Sequence, residues 1–186
     1  SWRDVEGQRG TYDFRAVRAE VDRWGKAGKG VVVGLMLYGQ KVDDGQTPPW
    51  IYGQPGVREI RFRGGGTAKG EEIRIPAVWD DGFVEAWVEP MIAAFAREID
   101  GDPAVWYVMP GIGHIGNLNC QPSKDGSRGC LDAGLPPERW KGYVDRLVGA
   151  YRRHFRKTPL LVKAAGPLRR ARRNANNRDE AAGILA

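Results

Sequence analysis

The sequence predicts an α/β protein whose strands run parallel and are joined by right-handed crossovers, as in a barrel or an open doubly wound sheet. Three observations carry this expectation. The order helix, strand recurs three times along the chain, with a long loop after each of the first two strands. Two of the strands are apolar runs, VVVGLMLY at 31–38 and AVWYVM at 104–109, and such runs suit a parallel sheet buried on both faces. The second run passes straight into PGIGHIGN at 110–117, where three glycines stand with His114 and Asn117. A strand that turns into a flexible loop at its carboxyl end is where ligands bind in α/β folds.

Length and composition set the frame. With 186 residues, 41% hydrophobic and 28% charged, the chain suits one substantial core and one domain. No run approaches the roughly 18 to 20 apolar residues of a membrane span, so no membrane partner is expected. The chain opens at Ser1 in the middle of a pattern, without an initiator Met, basic start or apolar signal segment. That predicts a mature, truncated or partly recovered product.

Taken in order, the first helix can be capped by Asp13, and Phe14, Val17, Val21 and Trp24 recur along it as one apolar stripe. Gly25, Gly28 and Gly30 stop it before the strand at 31–38. From 39 to 78 the periodicity is lost among Gly, Pro and charged residues. A connection this long is functional or disordered, and Pro48, Pro49, Trp50 and Tyr52 favour binding. A small strand is expected at 72–76. The stretch RGGGTAKG at 63–70 is expected neither to follow a strand nor to open a helix, which argues against a phosphate loop.

Asp80 or Asp81 can cap the second helix, whose stripe is Val84, Trp87, Val88, Met91, Ile92, Phe95 and Ile99. Pro90 should kink or restart that helix. Gly101, Asp102 and Pro103 end it, and the strand at 104–109 follows. A third helix opens at Pro136, Pro137 and Glu138, with an inner face of Trp140, Tyr143, Val144, Leu147, Tyr151 and Phe155. Thr158 and Pro159 break it ahead of a third strand at 160–164. A basic, alanine-rich helix is expected after Gly166 and Pro167.

The loop at 110–135 holds the only two cysteines, Cys120 and Cys130. Their spacing fits no zinc pattern and lacks histidine partners, so a disulfide is expected, and with it an extracellular or secreted protein. Closing that ~10-residue loop contributes on the order of 2 to 3 kcal/mol in the chain-entropy account. Net charge is +6, which raises a nucleic acid or another polyanion as a partner. Much of the excess lies on or beside helices, in Arg152, Arg153, Arg156, Lys157 and the cluster Arg169, Arg170, Arg172, Arg173 and Arg178. A solvated helix face accounts for such residues, and the aromatic-interleaved surface used for single strands is missing. Nucleic acid is therefore the least favoured partner, kept as an alternative through the C-terminal cluster.

Several short motifs resemble one family. Trp2-Arg3-Asp4-Val5-Glu6 with Gly10, Tyr12, Asp13 and Phe14 resembles the "W, two residues, a hydrophobe, E, then G-x-Y-D-F" signature that follows the second strand in clan A glycoside hydrolases, particularly the β-galactosidase-like families. Pro49-Trp50 resembles their proline-tryptophan segment, which walls the sugar site. The resemblance implies a partial TIM (β/α)8-type barrel over about strands two to five. Residues 1–186 would form one partial barrel domain, with a long loop at 39–78 and a disulfide-bearing loop at 110–135. It implies a glycosidase that acts on a polysaccharide or oligosaccharide with neither cofactor nor metal. A half barrel would leave sheet edges open, so an oligomer or a missing remainder of the barrel is expected.

The chain departs from that family where its general acid stands. The family places an Asn-Glu pair at the end of the fourth strand, and the corresponding positions here are about Pro110 and Gly111. The second carboxylate comes from the seventh strand, outside this register. Hydrolysis needs two carboxyls, ~5 to 5.5 Å apart to retain configuration and ~6.5 to 9.5 Å to invert it. In their absence Asp80, in the loop before the second helix, and His114, which can titrate near neutrality, are the catalytic candidates. Helix capping and local hydrogen bonding are their plainer roles. Trp50, Tyr52 and Trp79 could stack on sugar faces, and Asn117 and Asn119 could bind hydroxyls, although asparagine also makes turns. Glu6 could touch ligand or simply hold its loop. A non-catalytic carbohydrate-binding or structural protein is the alternative to an enzyme.

Overall fold

A computed structural model of the chain describes residues 1–39, 46–63, 70–113, 116, 118, 120 and 130–163. Its elements are α1 (Trp2–Val5), α2 (Arg15–Lys26), β1 (Val31–Gly34), a 3-10 turn (Pro49–Gly53), β2 (Glu59–Arg63) and β3 (Glu72–Pro76). A π-helical turn (Val84–Val88), α3 (Glu89–Ile99), β4 (Val105–Met109) and α4 (Pro137–His154) complete them. The mixed α/β character and the parallel strands expected from the sequence are present.

β1 and β4 pair in parallel, from Val31 opposite Val105 to Gly34 opposite Met109, with an irregularity after Val31. Leu160 adds a parallel bridge on the far side of β4. There the Val108 N–H donates to Pro159 O at 3.0 Å and the Leu161 N–H to Val108 O at 2.9 Å. The first two helix-to-strand units therefore pair their strands directly, and where a third strand is expected at 160–164 the described residues show only the bridge at Leu160, next to β4 in chain order.

Each helix shows why it forms and what it buries. Phe14 and Val21 of the first stripe are buried, but Trp24 is 42% exposed at the last turn, with the Arg23 guanidinium over its ring. Asp13 accepts from the Arg15 N–H at 3.0 Å and pairs with that arginine's side chain. Neither Asp80 nor Asp81 caps the second helix. Pro90 has no N–H to give to the preceding turn. The five residues Val84–Val88 just ahead of it widen into a π turn, and α3 starts anew at Glu89. All six expected inner residues of α4 are buried. Phe14 stacks on Phe95 at 5.4 Å, Phe95 meets Phe155 edge-on at 5.6 Å and Phe155 stacks on Tyr151 at 5.7 Å, a chain of rings that ties α2, α3 and α4 together. Glu89 binds Arg153 and His154 across the α3–α4 seam.

Two expectations change. Within 39–78 the small strand expected at 72–76 is present as β3, and the unexpected β2 pairs with it antiparallel, with Ile60 opposite Ile75 and Phe62 opposite Ile73. The glycine-rich stretch joins them, so it does follow a strand; its residues 64–69 lie outside the described set. The strand at 31–38 is regular only to Gly34. Beyond it the carbonyls of Met36 and Leu37 bind the Trp2 N–H at 2.9 Å and the Thr47 hydroxyl at 2.9 Å instead of another strand. The basic helix after Gly166 lies outside the described residues.

Candidate functional site

The connections that follow β1 and β4 meet at the carboxyl ends of these strands, together with the segment 1–14. Leu35, Leu37, Tyr38 and Ile112 are buried there. Gly111 lies so close to the neighbouring chain that a Cβ would stand 1.7 Å from Leu35 O. No side chain fits at Gly111 without moving backbone, and this is where the family register asks for a carboxylate. Tyr38 donates to Cys120 O at 3.0 Å, Tyr143 to Ile112 O at 2.6 Å and the Trp140 indole to Leu118 O at 2.9 Å. Burial pushes the Tyr38, Tyr143 and Tyr151 hydroxyls well above the usual range, and Tyr38 and Tyr143 serve as neutral donors. The Cys120–Cys130 disulfide is present, with an S–S distance of 2.07 Å.

Glu6 is 2% exposed. Its two carboxylate oxygens accept from the Trp2 indole at 2.7 Å and the Gly10 N–H at 2.8 Å. Burial raises its pKa, against the lowering effect of those two donors. Its carbonyl accepts from the Trp50 indole at 2.9 Å. Glu6 thus fastens the segment between α1 and α2 to the 3-10 turn.

Trp50 is half-buried, packed edge-on to Trp2 at 5.9 Å and tilted against Trp87 at 6.3 Å. Arg9, which the sequence does not single out, covers Trp87 at 4.5 Å and reaches Gln54 at 3.1 Å. Tyr52 donates to Arg74 O at 3.2 Å and carries the Arg74 guanidinium 3.9 Å over its ring. Trp79 is fully buried, 6.2 Å from Trp140. Its indole has no face left for a sugar, which corrects the stacking role expected for it.

Asp80 is gripped through both oxygens by Arg58, at 2.8 and 3.0 Å, with Arg139 at 3.9 Å. Arg58 also donates to Ala133 O at 2.7 Å. Asp80 is therefore one half of a fork-to-fork ion pair joining the start of β2 to the loop ahead of the π turn and α3, while the bond to Ala133 carries Arg58 on to the approach to α4. Neither Arg58 nor Arg9 carries a sequence signal, since each is one arginine among many. His114, Asn117 and Asn119 lie outside the described residues. Among the described residues no group of three His, Cys, Asp or Glu could hold a metal ion.

The fold has a solved counterpart. Endo-glycoceramidase II from Rhodococcus sp., captured as a lactosyl-enzyme intermediate, matches with a TM-score of 0.52 at 18% identity. The match covers 87% of this chain and 39% of that one, so this chain spans well under half of its counterpart. At this identity the likeness is one of fold. No family model matches the chain, and no curated protein matches its sequence.

Proposed function

We propose that the chain is part of a glycoside hydrolase-like (β/α) barrel that engages an oligosaccharide or polysaccharide at the carboxyl ends of its parallel strands. One observation carries the reading. The half-buried Trp50 and Trp87 pack together with Arg9 over the Trp87 ring, Trp50 also packs on Trp2, whose N–H bonds to Met36 O just past β1, and the fold resembles that of a protein solved with a lactosyl group attached. The disulfide is in keeping with an extracytoplasmic setting. No helix among the described residues is long and apolar enough to cross a membrane.

A specific observation favours binding over turnover. Glu6 and Asp80 both have their two oxygens engaged, and Gly111 cannot carry a side chain. A hydrolase in this chain would have to release Asp80 from Arg58 before using it as an acid or base. The test is a titration with lactose and longer oligosaccharides, following tryptophan fluorescence, alongside a panel of nitrophenyl glycosides. Saturable quenching that is lost in a folded Trp50→Ala variant, without turnover, is the expected outcome. Turnover abolished by Asp80→Asn would restore the hydrolase, and neither quenching nor turnover would remove the sugar reading.

A further inference from the structure

We propose that the saccharide is acidic, a chain bearing uronic acid units, and that Arg9 reads its carboxylate; the inference rests on the sugar reading above. Arg9 is an exposed arginine held in place by neutral partners. Its guanidinium lies 4.5 Å over the Trp87 ring, and its Nη1 donates to Gln54 Oε1 at 3.1 Å. Gln54 in turn donates through Nε2 to Trp50 O at 3.0 Å, so one amide ties Arg9 to the backbone of the neighbouring tryptophan. The indoles of Trp50 and Trp87 stand 6.3 Å apart. A positive fork is therefore fixed one ring away from Trp50, the side chain to which sugar stacking falls.

Its charge sets Arg9 apart from the arginines around it. Arg15 pairs with Asp13, Arg58 with Asp80 and Arg153 with Glu89. The other arginine stacked beside the 3-10 turn, Arg74 over Tyr52, is paired with Glu59 at 3.4 Å. Among the described residues no carboxylate stands within 4.0 Å of the Arg9 guanidinium. Glu6 feels the Arg9 charge, but its two oxygens are taken up by the Trp2 indole and the Gly10 N–H. A guanidinium has five N–H donors, and the contact with Gln54 uses one. Stacking holds the others in a planar fork that suits the two oxygens of a carboxylate, whereas a sugar hydroxyl accepts at a single oxygen. A net charge of +6 also draws an acidic chain towards the protein.

The test follows tryptophan fluorescence during titration with oligosaccharides cut from galacturonan, alginate and glucuronoxylan, each beside its carboxyl-reduced, neutral form. The parent is expected to bind at least one acidic oligosaccharide about tenfold more tightly than its reduced form. Arg9→Gln should bring that ratio to about one, and Arg9→Lys, which keeps the charge but not the fork, should leave it in between. Trp50→Ala should weaken both members of the pair and keep the ratio. Each variant is first shown to be folded by its melting curve. A parent ratio near one, or a ratio that survives in Arg9→Gln, overturns the proposal and leaves the sugar reading standing. Absence of quenching by every saccharide, acidic or reduced, removes the two together.

Discussion

Glu6 and Asp100 are carboxylates that serve the fold by accepting N–H groups. Glu6→Gln leaves one of its two buried donors, the Trp2 indole or the Gly10 amide, facing an NH2 group, and should cost about 1 to 3 kcal/mol in denaturant unfolding. Asp100 accepts from the backbone N–H groups of Arg156 at 2.9 Å and Thr158 at 2.8 Å, and so draws the segment after α4 towards Pro159 and Leu160. Burial works to raise its pKa, but those backbone donors outweigh it and the net shift is downward from 3.8. A carboxyl with a lowered folded-state pKa contributes stability above its unfolded value and loses it as pH falls through the folded one. Asp100→Asn should therefore cost about 1 kcal/mol at pH 7, and its melting curve should converge on the parent's only once the pH has fallen through the folded-state value, which lies below 3.8. None of these donors is visible in the sequence, because a carboxylate in a loop reads the same whether it faces water or backbone.

At the scale of elements, the helices were the most legible part. The stripe from Val84 to Ile99 and that from Trp140 to Phe155 mark two buried faces, and Pro90 marks the restart of α3, because period and proline act locally. Of the β2–β3 pair the sequence marks β3, as the small strand expected at 72–76, but not β2 or the pairing, for an equally local reason. Its apolar signal is only Ile60 and Phe62 against Ile73 and Ile75, two residues per strand, set among charges that pair across the strands, as Arg61 does with Glu72. Of the site, the sequence marked the strand end and Trp50, but not that Asp80 is occupied by Arg58 or that Trp79 is interior. Those facts depend on partners about 20 and 60 residues away. The packing of the strand ends offers a test. Gly111→Ala sets a methyl against Leu35 O, and should destabilise the protein by about 3 kcal/mol in chemical unfolding, whereas Gly53→Ala, with open space around it, should stay within about 1 kcal/mol.

For the molecule as a whole, the expectation of strands buried on both faces holds only in part. Val105 and Val108 are buried, but Val32 is 50% exposed and Trp106 60%. Apolar runs are indifferent to what covers them, so a sequence of this kind promises a buried sheet even where the described elements cover only part of it. The consequence can be measured in solution. Trp24 and Trp106 are the two exposed indoles among the described residues, while Trp2, Trp79 and Trp140 are fully buried and Trp50 and Trp87 are packed against the core. Iodide, which does not enter a protein interior, should quench a distinct fraction of the fluorescence. Trp106→Phe should remove the larger part of that fraction, and Trp24→Phe the remainder. If Trp106→Phe leaves the accessible fraction unchanged, the outer side of β4 is covered in solution, and the sheet is more nearly closed than the pairing of β1, β4 and Leu160 makes it.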